Sequence, residues 1–153
     1  MSEAPSRGFT LIELMVTLVV IVILATLAVP SFRGFIANQQ VKTASYDLLA
    51  ALNYARSEAI KRNADVTLAA VDGDWTKGWR VSRGVVVLKA WDAPGDLSFG
   101  EAPPVSFTFQ SNGRVSGGAS DSLEVCKSEA TQRIVSVDMT GQSRLERAGA
   151  CSE

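Results

Sequence analysis

The stretch "RGFTLIELMVTLVVIVILATLAVPSF", Arg7 to Phe32, decides how the 153-residue chain is organised. Its apolar run, residues 9 to 29, contains a single charged side chain, Glu13. As an α-helix this run would be about 31 Å long, enough to cross the hydrocarbon core of a bilayer. A carboxylate inside such a helix costs roughly 3 kcal/mol on insertion scales. The sequence therefore predicts an apolar helix that carries an unexpected acidic residue near its start.

The order of features in this stretch differs from that of a secretory signal, in which a small-residue cleavage site follows the apolar run. Here the small residue, Gly8, directly precedes the run. Cleavage after Gly8 would keep the apolar segment in the mature chain. A simple signal anchor with one stray charge is the alternative interpretation. Pro30 removes one backbone hydrogen bond, so we expect a helix kink there.

Composition narrows the classes of function. The net charge is −1, so no global field draws the chain towards nucleic acid. The chain contains no histidine, which excludes Ser-His and Cys-His nucleophile pairs and histidine metal sites. No catalytic motif with known mechanics is present. We therefore expect a protein that is not an enzyme and that has no metal site and no cofactor.

Two cysteines, Cys126 and Cys151, lie near the carboxyl terminus. Free thiols and a disulfide are both compatible with the sequence. Export would favour a disulfide, which would stabilise the fold by about 3–4 kcal/mol in the chain-entropy model. A structural bridge is favoured over a redox site because there is no Cys-X-X-Cys motif.

A second helical pattern follows Pro30 and extends to about Asn63. Apolar residues recur there at three- and four-residue steps, which predicts a buried stripe on an amphipathic helix. The stripe consists of Val41, Ala44, Leu48, Leu52, Ala55 and Ala59. Lys61, Arg62 and Asn63 are typical of a helix carboxyl terminus.

From residue 64 the sequence changes to short β-prone runs separated by turns. The predicted strands are "VTLAAV" (66–71), "GWRVS" (78–82), "VVVLKAW" (85–91), "VSFTF" (105–109), "LEVC" (123–126) and, as the last strand, "RIVSVDM" (133–139). Ser82 to Gly84 is a predicted hairpin turn, and Val135, Val137 and Met139 are predicted to face the core. The expected fold is α+β, a long amino-terminal helix packed on antiparallel β-sheet.

Two features of the body admit a functional alternative. The stretch "DGDW" at Asp72–Trp75 has the start of a calcium loop, but no glutamate follows at the twelfth position, which favours a turn. Trp75 and Trp79 could stack on single-stranded nucleic acid, but paired aromatics beside a turn more often pack in a core. We expect core positions for both.

The residues Gly8-Phe9-Thr10-Leu11-Ile12-Glu13 resemble the processing site of type IV pilins and type II secretion pseudopilins. The resemblance implies that a prepilin peptidase cleaves after Gly8 and methylates the new terminus at Phe9. It also implies that Glu13 pairs with the terminal amine of a neighbouring subunit. Glu13 would then set the register of assembly.

The body is similar to the GspH/FimT group of that family, which includes FimT- and FimU-like minor pilins. Residues 48–68, 73–81 and 109–116 and the cysteine pair carry the similarity. It implies a minor pilin that enters a type IV pilus and helps to initiate assembly near the tip. The alternative within the family is a minor pseudopilin of type II secretion.

The resemblance also implies partners, location and domain organisation. The expected partners are other minor pilins and the major pilin, or pseudopilins, together with the prepilin peptidase and the inner membrane. The chain would cross that membrane once, with its body in the periplasm, before it joins a pilus or pseudopilus. The expected segments are a leader (1–8), a transmembrane or filament-core helix (9–30), an amphipathic helix (31–63) and a β body with a carboxyl-terminal disulfide (64–153).

Some FimT-like minor pilins bind DNA through a basic Gly-Arg-X-Arg stretch. The corresponding stretch here is "TGQSRLER", Thr140 to Arg147, in which Gln142 replaces the first arginine. The alternative for these arginines is a solvated strand face or a salt bridge to Glu146. A DNA-binding role in natural transformation is therefore a further hypothesis. Its candidate residues are Arg144, Arg147, Lys127 and Arg133.

Overall fold

A computed structural model of the chain describes residues 8–117 and 121–151, without the side chains of residues 27–31. In these residues one long helix is followed by seven strands. The elements are α1 (Leu11–Arg62), β1 (Val66–Val71), β2 (Asp74–Arg83), β3 (Val86–Trp91), β4 (Ser106–Phe109), β5 (Asp121–Val125), β6 (Thr131–Val137) and β7 (Ser143–Ala150).

The second half of α1 is the spine of the body. All six residues of the predicted stripe, from Val41 to Ala59, are fully buried, which confirms the three- and four-residue pattern. Ala37 and Ala51 extend the same face. The helix ends where Asn63 takes a left-handed conformation (φ 48°) and its N–H donates to the carbonyls of the last turn. This end lies where the sequence predicted it.

The strands form two antiparallel sheets, and both pack against α1. The first has the order β3-β2-β1-β4 and the second β5-β6-β7. A pair of backbone hydrogen bonds between Ser98 and Cys126, each 2.9 Å, connects the loop before β4 to the end of β5. The predicted α+β class is therefore confirmed, with the β body divided into two sheets.

Aromatic side chains fill the space beneath the first sheet. Trp75, Trp79, Phe99 and Phe107 lie with neighbouring ring centroids 6.2–6.4 Å apart. The Trp75 indole donates to the Pro104 carbonyl at 2.8 Å. Both tryptophans are almost fully buried, which confirms their predicted core positions.

Four details of the predicted β body were wrong. β2 begins at Asp74, four residues before the predicted start at Gly78. A seventh strand, β7, follows β6. The hairpin turn lies at Gly84–Val85, because Ser82 and Arg83 belong to β2 and Gly84 takes a positive φ of 56°. Met139 is 47% exposed because β6 ends at Val137 and the chain then turns, whereas Val135 and Val137 are buried as predicted.

The disulfide resolves the alternatives left open for the cysteines. Cys126 and Cys151 are bonded to each other. They follow β5 and β7, the two outer strands of the second sheet, at the same end of that sheet. The bond therefore ties the last strand to the rest of the body.

Arg56 of α1 connects the helix to both halves of the β body. Its Nε donates to the Gly113 carbonyl (3.1 Å) and its Nη2 to the Thr140 carbonyl (3.2 Å). Gly113 lies in the turn after β4, and Thr140 in the turn between β6 and β7. The two turns are so close that a Cβ atom at Gly141 would lie 2.0 Å from the Gly113 oxygen. The Arg56 guanidinium thus binds both turns at the point where α1 and the two sheets meet.

We predict that Arg56→Gln lowers the free energy of unfolding by about 1–3 kcal/mol, because two charge-assisted hydrogen bonds are lost from a half-buried site. Urea denaturation of the full chain in detergent measures this. Arg80→Gln, which changes an exposed arginine on β2, is the control. Equal stability of the two variants would contradict the role given to Arg56.

Candidate assembly site and basic strand

The first turns of α1 project from the body with apolar side chains exposed around the helix. Between residues 9 and 24 each large apolar side chain is 48–79% exposed. They are Phe9, Leu11, Ile12, Leu14, Met15, Val16, Leu18, Val19, Val20, Ile21, Val22, Ile23 and Leu24. A continuous apolar surface of this size marks a site of interaction with another protein or a membrane.

Several predicted features of this segment lie outside the described residues. The leader falls there except for Gly8, which is exposed. The α1 backbone is helical through Pro30, but the side chains of residues 27–31 are not described, so the predicted kink stays a prediction. Within the residues that are described, no helix is both long enough and apolar enough to span a membrane.

Glu13 caps the start of α1. The Thr10 hydroxyl accepts from the Glu13 N–H at 3.3 Å, and the Glu13 Oε2 accepts from the Thr10 N–H at 3.5 Å. This reciprocal pair is a capping box, for which Thr-X-X-Glu is the sequence signature. The sequence therefore contains a helix-capping signature at Glu13, a second role that the resemblance to the processing site did not indicate. The carboxylate also lies at the positive end of the helix dipole.

The cap leaves Glu13 available to another partner. One carboxylate oxygen is held by a long hydrogen bond, and among the described residues Oε1 has no hydrogen-bond donor. Phe9 precedes the N-cap residue and is 79% exposed. Gly8, Phe9 and Glu13 are thus together at the exposed start of the helix.

The four candidate basic residues are not on one surface. Arg133 and Arg147 are directly opposite each other on β6 and β7, which places both side chains on the same face. Arg133 also lies over the Tyr46 ring of α1, 5.9 Å from its centroid. Arg144 pairs with Ser136 in the same regular register and is therefore on the opposite face.

Arg144 and Lys127 each have local partners. The Arg144 Nη2 donates to Gln142 Oε1 at 3.5 Å. The Thr140 hydroxyl, which donates to Asp138, holds the pKa of that carboxyl below its usual value, and the Arg144 charge contributes in the same direction. Lys127 is only 21% exposed; its Nζ lies 3.7 Å from Asp96.

The expected salt bridge between Arg144 and Glu146 is not formed among the described residues. Arg144 and Glu146 are both exposed on the outer face of β7. The solvated strand face is therefore the interpretation that fits Arg144. A shared cationic surface would therefore consist of Arg133 and Arg147, which lie on the same face of the sheet.

Comparison with known families decides where the chain belongs. Residues 44–141 match the family described as Type II transport protein GspH, and residues 4–29 match the Prokaryotic N-terminal methylation motif. The chain belongs to the GspH family. It is thus a pilin-like protein of the minor pilin and pseudopilin class, a class of structural rather than enzymatic proteins.

Individual relatives include two fimbrial proteins of Pseudomonas aeruginosa. Each is 37% identical over 68 residues, which is 44% of this chain and 44% of theirs, so the match spans less than half of those relatives. Among solved structures, the type IV minor pilin FimU of Pseudomonas aeruginosa superposes with a TM-score of 0.62 at 26% identity, over 72% of this chain and 99% of that one.

A second crystal form of FimU gives a TM-score of 0.64 at 24% identity, over 77% of this chain and 99% of the other. The minor pseudopilin EpsH from the Type 2 Secretion System of Vibrio cholerae gives 0.52 at 17% identity, over 71% of this chain and 97% of that chain. These two likenesses concern the fold alone. They agree with a long helix packed on antiparallel sheets.

Proposed function

We propose that this chain is a minor subunit of a type IV pilus and helps to initiate pilus assembly near the tip. The observation that supports the proposal best is the likeness to FimU over nearly all of that minor pilin at 26% identity. The fimbrial relatives support the same choice. The minor pseudopilin of type II secretion is the alternative, supported by the family description and by the fold of EpsH.

The exposed apolar side chains of residues 9–24 support the proposed route of the chain from the membrane to the filament. The prepilin peptidase removes residues 1–8 and methylates Phe9. Residues 9–30 then hold the chain in the inner membrane with a single crossing and leave the body in the periplasm. On assembly the same surface is buried against other minor pilins and the major pilin. Transfer from lipid to a protein core suits a helix whose apolar side chains are exposed on every side.

Glu13 sets the register of the chain against a neighbouring subunit during this transfer. A carboxylate in an apolar environment is strongly disfavoured unless it meets an opposite charge. Cleavage after Gly8 creates an amine at Phe9, next to the N-cap of α1. The Glu13 carboxylate, held within its own chain only by a long hydrogen bond to Thr10, pairs with the corresponding amine of the neighbouring subunit.

Charge pairing and helix capping can be separated by three variants. Glu13→Gln removes the charge but keeps a side chain that suits a capping box. Thr10→Ala removes the hydroxyl cap but keeps the charge, and Glu13→Asp keeps the charge on a shorter side chain. We predict that Glu13→Gln nearly abolishes incorporation into sheared pili, while Thr10→Ala keeps most of it and Glu13→Asp is intermediate. Quantitative immunoblots of sheared pili and inner membranes measure this.

Equal incorporation of Glu13→Gln and the unchanged chain would contradict the pairing, and loss confined to Thr10→Ala would assign Glu13 to capping alone. The same cells distinguish the two machines. If deletion of the gene abolishes piliation, the pilus proposal holds. If it leaves piliation intact and abolishes export of a secreted protein, the pseudopilin alternative replaces it.

A second candidate function, DNA binding during uptake, is favoured by one observation. Arg133 and Arg147 are like charges directly opposite each other, an arrangement that destabilises a sheet pair unless an anion neutralises it. Among the described residues no carboxylate lies within salt-bridge distance of either side chain. The half-exposed Tyr46 ring beside Arg133 provides a surface on which a base can stack.

For this second function we predict that Arg133→Gln/Arg147→Gln lowers the affinity of the full chain for duplex DNA and reduces the salt slope by about two. Arg144→Gln, on the opposite face, is the matched control and should change neither. Fluorescence anisotropy across a salt series measures both quantities. If Arg144→Gln alone abolishes binding, the DNA site is on the outer face of β7, and if the unchanged chain does not bind at low salt, the DNA function is wrong.

A further inference from the structure

The hairpin formed by β2 and β3 has an unusual combination of charge and apolar exposure. From Thr76 to Trp91 the sequence has four cationic residues and no carboxylate. At its turn, Val85 is 98% exposed, and the next two valines, Val86 and Val87, are 51% and 52% exposed. We call residues 80–89 the hairpin finger.

The finger points away from the apolar amino-terminal segment. Its turn follows Ser82, which pairs with Thr67 of β1. β1 begins only four residues after α1 ends at Arg62. The turn of the finger is therefore at the carboxyl-terminal end of α1, while the exposed apolar segment is at the amino-terminal end of the same helix.

The apolar surface of the finger is present on both faces of the hairpin. Val86 pairs with Arg83, and Val87 pairs with Ser82, so the two valines are on opposite faces. Val85 projects from the turn itself. A protruding turn that is apolar on both faces cannot be covered by one flat protein surface. It can, however, insert into a fluid apolar environment.

Two of the four cations are free to meet an anionic partner. Lys77 is 3.6 Å from Asp72, and Lys89 lies 4.6 Å above the Trp91 ring. Arg80 and Arg83 are exposed, and in the described parts of the chain no carboxylate is within salt-bridge distance of either one. This holds for Asp65 too, although it directly precedes β1 at the same end of the body.

We propose that the hairpin finger docks on an anionic phospholipid surface, as a second membrane contact separate from residues 9–30. Val85 and its neighbours enter the boundary between headgroups and acyl chains. Arg83 pairs with Val86 at the base of the turn, so it is set back from Val85 at the tip, and interfacial apolar groups are buried to a depth of about 5–10 Å. Arg83 and Arg80 then meet the phosphates.

The geometry favours lipid over a protein partner. β3 is an edge strand, so another protein could add a strand to it. Strand addition would use the edge of β3 and would leave the turn and Arg80 outside the contact. A lipid surface uses the features that are combined here: a protruding apolar turn, valines on both faces and arginines set back from the tip.

The full chain tests this proposal when residues 9–30 are held in zwitterionic nanodiscs and the liposomes are added separately. Co-flotation is measured with phosphatidylglycerol-containing liposomes and with phosphatidylcholine liposomes. We predict binding to the anionic liposomes only. Arg83→Gln should weaken it about fivefold and Val85→Ser about tenfold. The controls are Lys77→Gln, at the far end of the hairpin, and Val105→Ser, an exposed valine outside the finger; both should bind like the unchanged chain.

Equal binding by the unchanged chain and the two finger variants would overturn the proposal, as would equal binding to both liposome types. Association of the loaded nanodiscs with each other in the absence of liposomes, lost in Val85→Ser, would also overturn it and would assign the finger to protein contacts. Because all four substitutions are at exposed positions, circular dichroism of each variant should match that of the unchanged chain. The outcome is independent of whether the chain enters a pilus.

Discussion

The packing of one face of α1 against both sheets is the interaction on which the rest of the structure depends. The stripe from Val41 to Ala59 is fully buried, and it is the surface on which both sheets pack. Because this stripe begins near Ala37, the earlier turns of the same helix have no sheet to cover them and remain exposed. The second half of α1 is therefore the spine of the folded body, while its first turns form an exposed apolar segment, which we call the arm (residues 9–24). It also sets the polarity of the molecule, since the arm and the β2–β3 turn lie at opposite ends.

This polarity suits the proposed role, in which a pilus subunit leaves a membrane for a protein filament. In the proposed transfer from lipid to filament, the same apolar side chains are buried in both environments, so their neighbours change more than their solvation. Glu13 is the exception, because its carboxylate needs a polar partner that lipid does not offer. Within one chain the capping box with Thr10 provides a weak partner, and in the proposed assembly a neighbouring subunit provides a charged one. Under this proposal, the residue that is costly in the membrane is the one that favours assembly.

The sequence predicted the parts of the fold that depend on local periodicity. The stripe on α1, the end of that helix at Asn63 and the inward positions of Val135 and Val137 follow from spacing alone. β7 was missed because an edge strand with alternating charged residues lacks the apolar signal of a core strand. The division into two sheets and the convergence at Arg56 depend on contacts between residues far apart in sequence. The sequence also did not show that Arg144 and Arg147 lie on opposite faces of the sheet, because β7 was not predicted and its register with β6 was unknown.

The proposed processing is tested by the mass of the mature chain purified from cell membranes, with and without an active prepilin peptidase. We predict a chain that begins at Phe9 and carries one additional methyl group, and an uncleaved chain when the peptidase is absent. Gly8→Val provides a matched variant: a Cβ at Gly8 has no neighbouring atom within 4 Å, so the fold should be unchanged, and we predict that the peptidase does not cleave this variant. A mature chain that lacks residues 9–30, or one that keeps its leader when the peptidase is active, would show that the proposed processing is wrong.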